Sequence, residues 1–409
     1  MQLVAYGAQD IYLTGNPQIT FFKVVYRRHT NFAMEAIEQT FNGVADFGNK
    51  VVCTIARNGD LVGRMYLEID VNVDNSDVIL PKRFGHKLIK SAEVEVGGQR
   101  IDKHYGEWLN IWSQLSNSNE EVRKLNEMID GDLRGDSDTV RKVYVPLQFW
   151  FNRNPGLALP LIALQYHEVK VAIEFSKTPM AELDSNIKHL DNVCLFCDYI
   201  FLDTDERRRF AQVSHEYLIE QLQTTGRCSV GKGGKTQLSL EFNHPVKELV
   251  WVCQTEDAKG TYNFAAADNK VISPGGADWA SQETLAKEFV KSAKLQLNGH
   301  DRFRQRHGSY FRCLQTCQHH TGGAAQHTSH VDHQTLEKEN GYVYCYSFAL
   351  RPEEHQPSGT CNFSRIDNAV LHMDVAETET KSSVDAEVYA VNYNVLRIMS
   401  GMGGLAYSN

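Results

Sequence analysis

Histidines, which are common metal ligands, are concentrated in one part of this chain. Seven of the sixteen lie between positions 300 and 333: His300, His307, His319, His320, His327, His330 and His333. With Cys313 and Cys317 they could form a zinc site, as in a metal-dependent, cupin-like enzyme. However, the segment QHHTGGAAQHTSHVDHQTLEKENG (318–341) is polar and lacks the packed surroundings that fix metal ligands. We therefore predict a solvent-facing loop, with 318–333 free of structural metal.

A second stretch, GRCSVGKGGKT (226–236), is similar to a phosphate-binding loop, G-x-x-x-x-G-K-[S/T]. One register places Gly233 where Ser or Thr is needed, and the other places Ser229 where the first glycine is needed. A strand pattern, TQLSLEF (236–242), follows it, whereas a phosphate-binding loop precedes a helix. We interpret the stretch as a flexible hairpin loop.

Cys194 and Cys197 form a C-x-x-C pair inside the strand pattern NVCLFCDYIFL. Residues three apart on a strand face opposite sides, so these thiols cannot share a metal and should be two unconnected, buried or half-buried cysteines. The chain contains no G-x-S-x-G and no H-E-x-x-H. We expect no catalytic, cofactor-binding or metal-ligating residues, no cofactor and no enzymatic activity.

The composition is that of a globular protein: 409 residues, 42% hydrophobic and 23% charged. The net charge of −9 argues against direct binding of nucleic acid, which requires a dense Lys/Arg surface. Nine cysteines, with no recognisable secretory signal before them, favour reduced thiols in a cytosolic setting.

Alternating apolar residues and turn signals predict mostly strands. VVCTIARNGDLVGRMYLEIDV (51–71) reads as two strands, and VYVPLQFWF (143–151) and HEVKVAIEF (167–175) as further ones. SAEVEVGGQRI (91–101) reads as a hairpin that turns at Gly97-Gly98, with Glu93 and Glu95 outward. The best helix is SNEEVRKLNEMIDG (118–131). Its capping box joins Ser118 and Glu121, its buried face holds Val122, Leu125 and Ile129, and Gly131 ends it.

An internal repeat indicates the domain organisation. SAEVEVGGQRIDKHYGEW (91–108) returns as SAKLQLNGHDRFRQRHGSY (292–310), and HEVKVAIEF (167–175) returns as DNAVLHMDV (367–375). RNGDLVGRMYL (57–67) is loosely similar to NHPVKELVWVC (243–253). A repeat of about 200 residues rich in strands predicts two tandem β domains, each a two-sheet sandwich or jelly roll.

The stretch YLTGNPQITFFKVVYRRHTNF (12–32) precedes the first domain and is aromatic and locally basic. The apolar side chains of this stretch and of Ile11 just before it have no core of their own to join: Ile11, Tyr12, Leu13, Ile19, Phe21 and Phe22. They either bury against other molecules or pack under the first domain. The positive cluster of Lys23, Arg27 and Arg28 suits acidic partners or anionic lipid headgroups.

YGAQDIYLTGNPQITFFKVVYRRHTNFA resembles the amino-terminal signature of the major capsid proteins of nucleocytoplasmic large DNA viruses, most closely those of large icosahedral algal viruses. The resemblance continues along the chain through GGQRIDKHY, NPGLALPLIALQYHEVK, DYIFLDTDERRRFAQ, HEYLIEQLQ, QPSGTCNFSRIDNA and NYNVLRIMSGMGGLAY. It implies an all-β double jelly roll, two tandem eight-stranded antiparallel sandwiches with an extended N-terminal arm.

The resemblance also implies a structural function. Homotrimers with a pseudo-hexagonal outline would tile the icosahedral outer shell of a large double-stranded DNA virus, after assembly in the host cytoplasm. The implied partners are neighbouring capsomers, minor capsid proteins and, through the arm, the inner membrane side, with no direct contact to nucleic acid.

We divide the chain into an arm (1–26), a first jelly-roll domain (27–203), a connector (204–216), a second jelly-roll domain (217–398) and a C-terminal tail (399–409). Two alternative functions share the architecture, a carbohydrate-binding lectin and the metal-dependent enzyme. No cluster of aromatic and amide side chains recurs in both repeats as a lectin site would require, and bound metal would identify the enzyme.

The chain contains one glycosylation sequon, Asn362-Phe363-Ser364. We expect it to be unmodified, because the compartment is reducing and because Phe363 should pack at a strand entrance instead of displaying its neighbour to solvent.

Overall fold

The structure, a computed structural model, describes residues 14–24, 26–74, 80–130, 133–134, 139–177, 187–231, 233–255, 262, 264, 289–322, 342–376 and 383–407. Strands dominate it. The strands of the first half are β1 (Phe32–Thr40), β2 (Lys50–Thr54), β3 (Leu61–Val73), β4 (Ile89–Val96), β5 (Gln99–Tyr105), β6 (Leu133–Arg134), β7 (Val140–Pro146), β8 (Leu159–Pro160), β9 (Val169–Phe175) and β10 (Ile187–Leu202). Those of the second half are β11 (His215–Thr224), β12 (Cys228–Gly231), β13 (Gly234–Ser239), β14 (Pro245–Thr255), β15 (Val290–Leu297), β16 (His300–Asp301), β17 (Arg306–His307), β18 (Tyr344–Ser347), β19 (Cys361–Asn362), β20 (Ala369–Val375), β21 (Val384–Met399) and β22 (Met402–Leu405).

Each half folds as an antiparallel sandwich of two sheets. In the first half one sheet has the order β1-β10-β3-β7-β6, and the facing sheet has the order β2-β9-β4-β5. In the second half the order β11-β21-β14-β18 faces β13-β20-β15-β16. The chain passes repeatedly from one sheet to the other, as from β1 through β2 and β3 to β4, which is the jelly-roll arrangement. The predicted double jelly roll is confirmed.

The internal repeat corresponds to equivalent strands. β4 pairs with β9, and β15 pairs with β20 in the same way: Val96 is opposite Val169, and Leu297 is opposite Ala369. The register shifts at equivalent points, between Ile89 and Ser91 in the first pair and between Val290 and Ser292 in the second. Even this β-bulge is repeated, so the sequence match reflects one fold used twice.

Each sandwich encloses an apolar core, and the first core extends to Ile219, Leu396 and Ile398 of the second half. The first core includes Met65, Leu67, Val94 and Trp150, and the second includes Leu249, Trp251 and Leu295. Side chains alternate along the strands, so odd-numbered residues of β3 such as Leu67 point inward while Tyr66 points outward. Sheet against sheet thus closes both cores.

Helical segments lie between the strands: α1 (Phe84–Leu88), α2 (Gly106–Ser116), α3 (Asn119–Ile129), α4 (Trp150–Arg153), α5 (Thr204–Gln212) and α6 (Gln315–His319), with a π-helical turn at Tyr310–Leu314 and 3₁₀ turns at Pro155–Leu157 and Phe363–Arg365. The described helices include none that is long and apolar enough to cross a membrane.

The predicted helix at 118–131 is confirmed as α3. Ser118 and Glu121 form the capping box, and Val122, Leu125 and Ile129 are its buried face. Asp130 caps the carboxyl end, and Gly131 lies outside the described residues.

Two strand predictions need correction. The predicted strand at 143–151 ends at Pro146, and α4 begins at Trp150. Proline has no N–H to continue a ladder, which accounts for the early end. The hairpin at 91–101 is confirmed as β4 and β5, but Glu93 is buried because the ammonium groups of Lys50 and Lys103 both lie 2.7 Å from its carboxylate.

Helix α5 joins the two jelly rolls. Its N-cap is Asp203, whose carboxylate accepts hydrogen bonds from the backbone N–H groups of Asp205 and Glu206. Arg207 ties it to the first jelly roll through an ion pair with Asp60 at 3.0 Å. The segment proposed as a connector, 204–216, is thus mostly helical and rich in charged residues.

Candidate assembly surfaces

The described part of the arm lies open to solvent. Phe21 and Phe22 are 89% and 99% exposed, and Ile19, Val24 and Tyr26 are exposed beside them. Lys23, Arg27 and Arg28 are exposed too, and the first strand begins only at Phe32. Packing under the first domain is not seen at these positions, while Ile11, Tyr12 and Leu13 lie outside the described residues. Such an apolar and basic surface is typical of a segment that contacts another molecule.

A large contact joins the two jelly rolls through α2. The helix begins at Gly106, where a Cβ would collide with the carbonyl oxygens of His86 and Ile89, so the chain can approach this closely only with glycine. From there α2 presents one apolar stripe at i, i+3, i+4 and i+7: Trp108, Ile111, Trp112 and Leu115. The stripe packs on the outward side of the sheet β11-β21-β14-β18, against Val250, Val252, Tyr389 and Val391, with Tyr342, Val343 and Cys345 at its side. We call this outward side the covered face.

A buried carboxylate lies at the start of the α2 contact. Glu107 pairs with Arg227 of the second jelly roll at 2.8 Å, and the Tyr389 hydroxyl lies 3.3 Å from it. Burial, helped by the nearby charge of Glu387 and only partly opposed by Arg227, raises the pKa of Glu107 to about 7. The contact therefore contains a group that titrates near neutral pH.

A second ion pair is buried on the covered face. His320 donates from Nε2 to Glu248 at 2.8 Å and from Nδ1 to Glu353 at 3.0 Å. Ionised carboxylates only accept hydrogen bonds, so both ring nitrogens carry protons and the ring is charged. Burial lowers the pKa of His320, but attraction to Glu248 and the hydrogen bonds outweigh it, and the pKa is raised well above its ordinary value.

A third cluster lies where α4 meets β11. Glu220 accepts from Arg153 at 2.9 Å and from Lys247 at 2.8 Å, and the Arg153 guanidinium lies over the Trp112 ring at 4.9 Å. Burial would raise the pKa of Glu220, but Arg153, His355 and Lys247 together lower it to about 2. A cleft of about 310 Å³ opens beside this cluster, lined by Trp150, Arg153, Asn154, Pro155, Leu157, Glu220, Glu353 and His355.

No described element covers the outward side of the equivalent sheet of the first jelly roll. Tyr66, Phe196 and Tyr144 form a row across β3, β10 and β7, with ring centroids 5.3 Å apart from Tyr66 to Phe196 and 6.2 Å from Tyr66 to Tyr144. All three rings are half-buried. Beside the row, Lys142 bridges Glu68 at 2.8 Å and Asp70 at 3.2 Å. We call this outward side the open face.

The helical segment equivalent to α2 is also open. The repeat aligns Gly106 with Gly308 and Trp108 with Tyr310. Leu109 and its equivalent Phe311 both join their own cores, which confirms the alignment. The residues equivalent to the α2 stripe are Tyr310, Cys313, Leu314 and Cys317. Leu314 is 46% exposed, Cys317 is exposed, and the other two are half-buried. We call these four the open stripe.

The predicted histidine cluster does not assemble at one place. His300 and His307 lie exposed on β16 and β17, and His319 bonds the Leu350 carbonyl at 3.1 Å. His327, His330 and His333 lie outside the described residues. Across the described part of the chain, no group of three His, Cys, Asp or Glu side chains is placed to hold a metal ion. The expectation of an exposed loop is wrong for His320, because the buried carboxylate of Glu248 and the half-buried carboxylate of Glu353 accept its hydrogen bonds.

Two other sequence interpretations have clear outcomes. Cys197 is buried and Cys194 is half-buried beside Glu38, and all nine cysteines are unpaired, as expected.

The stretch at 226–236 does connect two strands, but it is not a hairpin. β12 pairs with β21 and β13 pairs with β20, so the chain crosses from one sheet to the other. No helix follows, and Lys232 lies outside the described residues.

The burial predicted for the sequon Asn362-Phe363-Ser364 is confirmed for one residue and wrong for another. Phe363 is buried in the second core, as predicted. Asn362 is nevertheless exposed, so the expectation that it is hidden is wrong. Its side-chain oxygen accepts the backbone N–H of Ser364 at 3.1 Å and caps the 3₁₀ turn, which leaves the amide nitrogen facing solvent.

Sequence reasoning missed the α2 contact. Its signal was present in the spacing of Trp108, Ile111, Trp112 and Leu115, which fits one face of a helix. An apolar stripe alone does not distinguish a core from a contact between domains.

Comparison with known proteins agrees with this architecture. Residues 20–203 match the family described as major capsid protein N-terminus, and residues 206–404 match the family described as large eukaryotic DNA virus major capsid protein. The chain is 52% identical to the major capsid protein of Pyramimonas orientalis virus, over 100% of this chain and 99% of that protein. It is 43% identical to that of Paramecium bursaria Chlorella virus 1, with the same coverage. Among solved structures it is similar to PBCV-1 VP54, with a TM-score of 0.79 at 39% identity over 95% of this chain and 100% of that one.

Proposed function

This chain belongs to the large eukaryotic DNA virus major capsid proteins, and from that premise we propose that it forms homotrimeric, pseudo-hexagonal capsomers. These capsomers tile the icosahedral outer shell of a large double-stranded DNA virus. The observation that carries the proposal is the repeated jelly roll with its equivalent β4/β9 and β15/β20 pairings. Two similar lobes in each of three chains give six lobes, and a hexagonal outline tiles a flat face. As a member of this family the chain is a structural protein and not an enzyme, and neither the lectin nor the metal-enzyme alternative is retained.

The proposal includes the division of the chain given above, with the arm at the base of the capsomer. The exposed Phe21 and Phe22, with Lys23 and Arg27 near them, support contact with neighbouring capsomers, minor capsid proteins or anionic lipid on the inner membrane side. The net charge of −9 supports the absence of direct nucleic-acid contact. Assembly takes place in the host cytoplasm, which suits nine unpaired thiols.

The mass of the purified protein tests the trimer. Light scattering should give three times 46.3 kDa, and electron microscopy of the same sample should show particles with a hexagonal outline. A monodisperse monomer at micromolar concentration would sink the proposal.

A further inference from the structure

The cleft beside Glu220 lies between the two jelly rolls. One wall comes from the first jelly roll, where α4 ends at Arg153 and a 3₁₀ turn follows at Pro155–Leu157. The other wall comes from the second jelly roll, from Glu220 of β11 and from the loop that carries Glu353 and His355. The volume of about 310 Å³ equals that of roughly ten water molecules, so the cleft has room for a small organic molecule.

The carboxylates that line the cleft already have cationic partners. Glu220 pairs with Arg153 at 2.9 Å and with the buried Lys247 at 2.8 Å. Glu353 pairs with the buried His320 at 3.0 Å. A cation that entered the cleft would have to compete with these partners, so the cleft is not suited to a positively charged ligand.

Three side chains of the cleft have hydrogen-bond donors to spare. The Arg153 guanidinium has five N–H donors, and the described residues engage it only through Glu220 on one side and the Trp112 ring, 4.9 Å away, on another. Asn154 uses its Oδ1 atom to accept a backbone N–H at 2.9 Å, while its NH₂ group has no partner among the described residues. His355 directs Nδ1 towards Glu220 at 3.7 Å, and Nε2 has no partner in the same ranges.

These donors are held in place by the fold itself. Arg153 is fixed by its ion pair and by the ring of Trp112, and Asn154 is fixed because it caps the 3₁₀ turn. On the opposite wall the backbone carbonyl of His355 accepts the Tyr393 hydroxyl at 3.2 Å. A ligand therefore loses little free energy to the ordering of the side chains that would bind it.

We propose that the cleft binds a small organic anion. The carboxylate or phosphate group of the ligand accepts hydrogen bonds from Arg153, Asn154 and His355, and bonds between charged groups of this kind are strong. The apolar part of the ligand lies against Pro155 and Leu157. Because its donors come from both jelly rolls, one bound anion joins the two lobes and stabilises the folded chain.

Benzoate and benzamide are a matched pair of probes, because they have the same shape and differ in charge. Phenyl phosphate is a third probe, and its affinity relative to benzoate identifies which head group the cleft prefers. In calorimetric titrations of the purified full chain, at least one of the two anions should bind at one site per chain. Benzamide should bind at least about tenfold more weakly than that anion. Saturation with the anion should raise the thermal midpoint by at least about 2 °C.

Two variants test the place of binding. Asn154→Asp keeps the oxygen that caps the 3₁₀ turn but replaces the NH₂ donor with a charged oxygen, and His355→Phe removes a donor from the opposite wall. Each should weaken binding of the anion at least about tenfold. Asn362→Asp is the matched control, because Asn362 caps the 3₁₀ turn at Phe363–Arg365 in the same way and does not line the cleft. Its affinity should stay within about twofold of wild type.

Binding of neither anion overturns the proposed site, and so does benzamide binding as tightly as the anions. Unchanged affinity in Asn154→Asp or His355→Phe, or an equal loss in Asn362→Asp, overturns the assignment to this cleft. Light scattering decides the proposed trimer separately, because the cleft is formed within one chain.

Discussion

Two equivalent sheets of this molecule differ in what lies on their outer sides. The covered face of the second jelly roll carries Val250, Val252 and Val391, which are buried beneath α2. The open face of the first carries Tyr66, Phe196 and Tyr144, which are half exposed. The same fold thus uses one surface for cohesion within the chain and leaves the other half exposed in the single chain. The difference shows that equivalent sheets of the two lobes have different surroundings, although their strands pair in the same way.

Removing a side chain from the covered contact should have the largest effect on the isolated chain. Trp112 is 5% exposed, so Trp112→Ala should lower the free energy of unfolding by about 3–5 kcal/mol. The equivalent change in the open stripe, Leu314→Ala, should cost at most about 0.5 kcal/mol in the monomer. Urea denaturation at a protein concentration at which light scattering shows a monomer measures both. Equal losses would show that the two stripes do not differ as described.

The buried ion pair on the covered face should be nearly as important. His320→Gln leaves Glu248 buried without a cation, which should cost about 3–4 kcal/mol. Because folding raises the pKa of His320, its contribution is complete below the unfolded value of about 6.5. The contribution is lost as pH rises through the folded value. The gap between wild type and variant in urea denaturation should therefore be widest at pH 6 and narrow in alkali, and a gap that widens instead would contradict the charged ring.

Glu107 should make the covered contact sensitive to pH in the neutral range. Its folded pKa of about 7 lies above the unfolded value of 4.5, so the folded state holds the proton more tightly. The free energy of unfolding should then fall by at most about 3 kcal/mol as pH rises from 4.5 through 7. Glu107→Gln cannot lose a proton there and should flatten this part of the curve, and parallel pH curves for the two proteins would argue against it. Ser309 occupies the equivalent open position, and Ser309→Ala serves as the control.

Deleting residues 1–25 should have the smallest effect on folding. Phe21 and Phe22 make no core contact in the single chain, so the thermal midpoint should shift by no more than about 2 °C. Shell assembly should suffer, because the lost contacts are made to other molecules. Loss of cooperative melting in the deletion variant would show that the arm is part of the folded core. It would then contradict the description of the arm as a segment that contacts other molecules.

The double jelly roll could be predicted from sequence because its signals are local or repeated. Alternation along HEVKVAIEF and DNAVLHMDV indicates strands, and their separation indicates two domains. The capping box of α3 needs only Ser118 and Glu121, three residues apart.

The contacts of buried polar groups could not be predicted, because their partners are distant in sequence. No residue near His320 in the sequence indicates Glu248, which lies 72 positions away in the same jelly roll. A histidine in a polar segment therefore looked exposed. The prediction that Asn362 is hidden was wrong for a local reason. Phe363 is buried, but the chain turns at this point, so Asn362 beside it remains exposed.

The connector helix α5 has a consequence for the number of encounters needed to build a capsomer. Six separate lobes of the proposed trimer would have to meet in five successive associations, whereas its three chains need only two. Each association costs on the order of 4–15 kcal/mol of translational and rotational freedom. Because α5 joins the lobes covalently in pairs, and the Asp60–Arg207 ion pair holds α5 on the first lobe, that cost is absent from three of the five steps. The contacts between the chains of the proposed trimer then have to offset only two such losses.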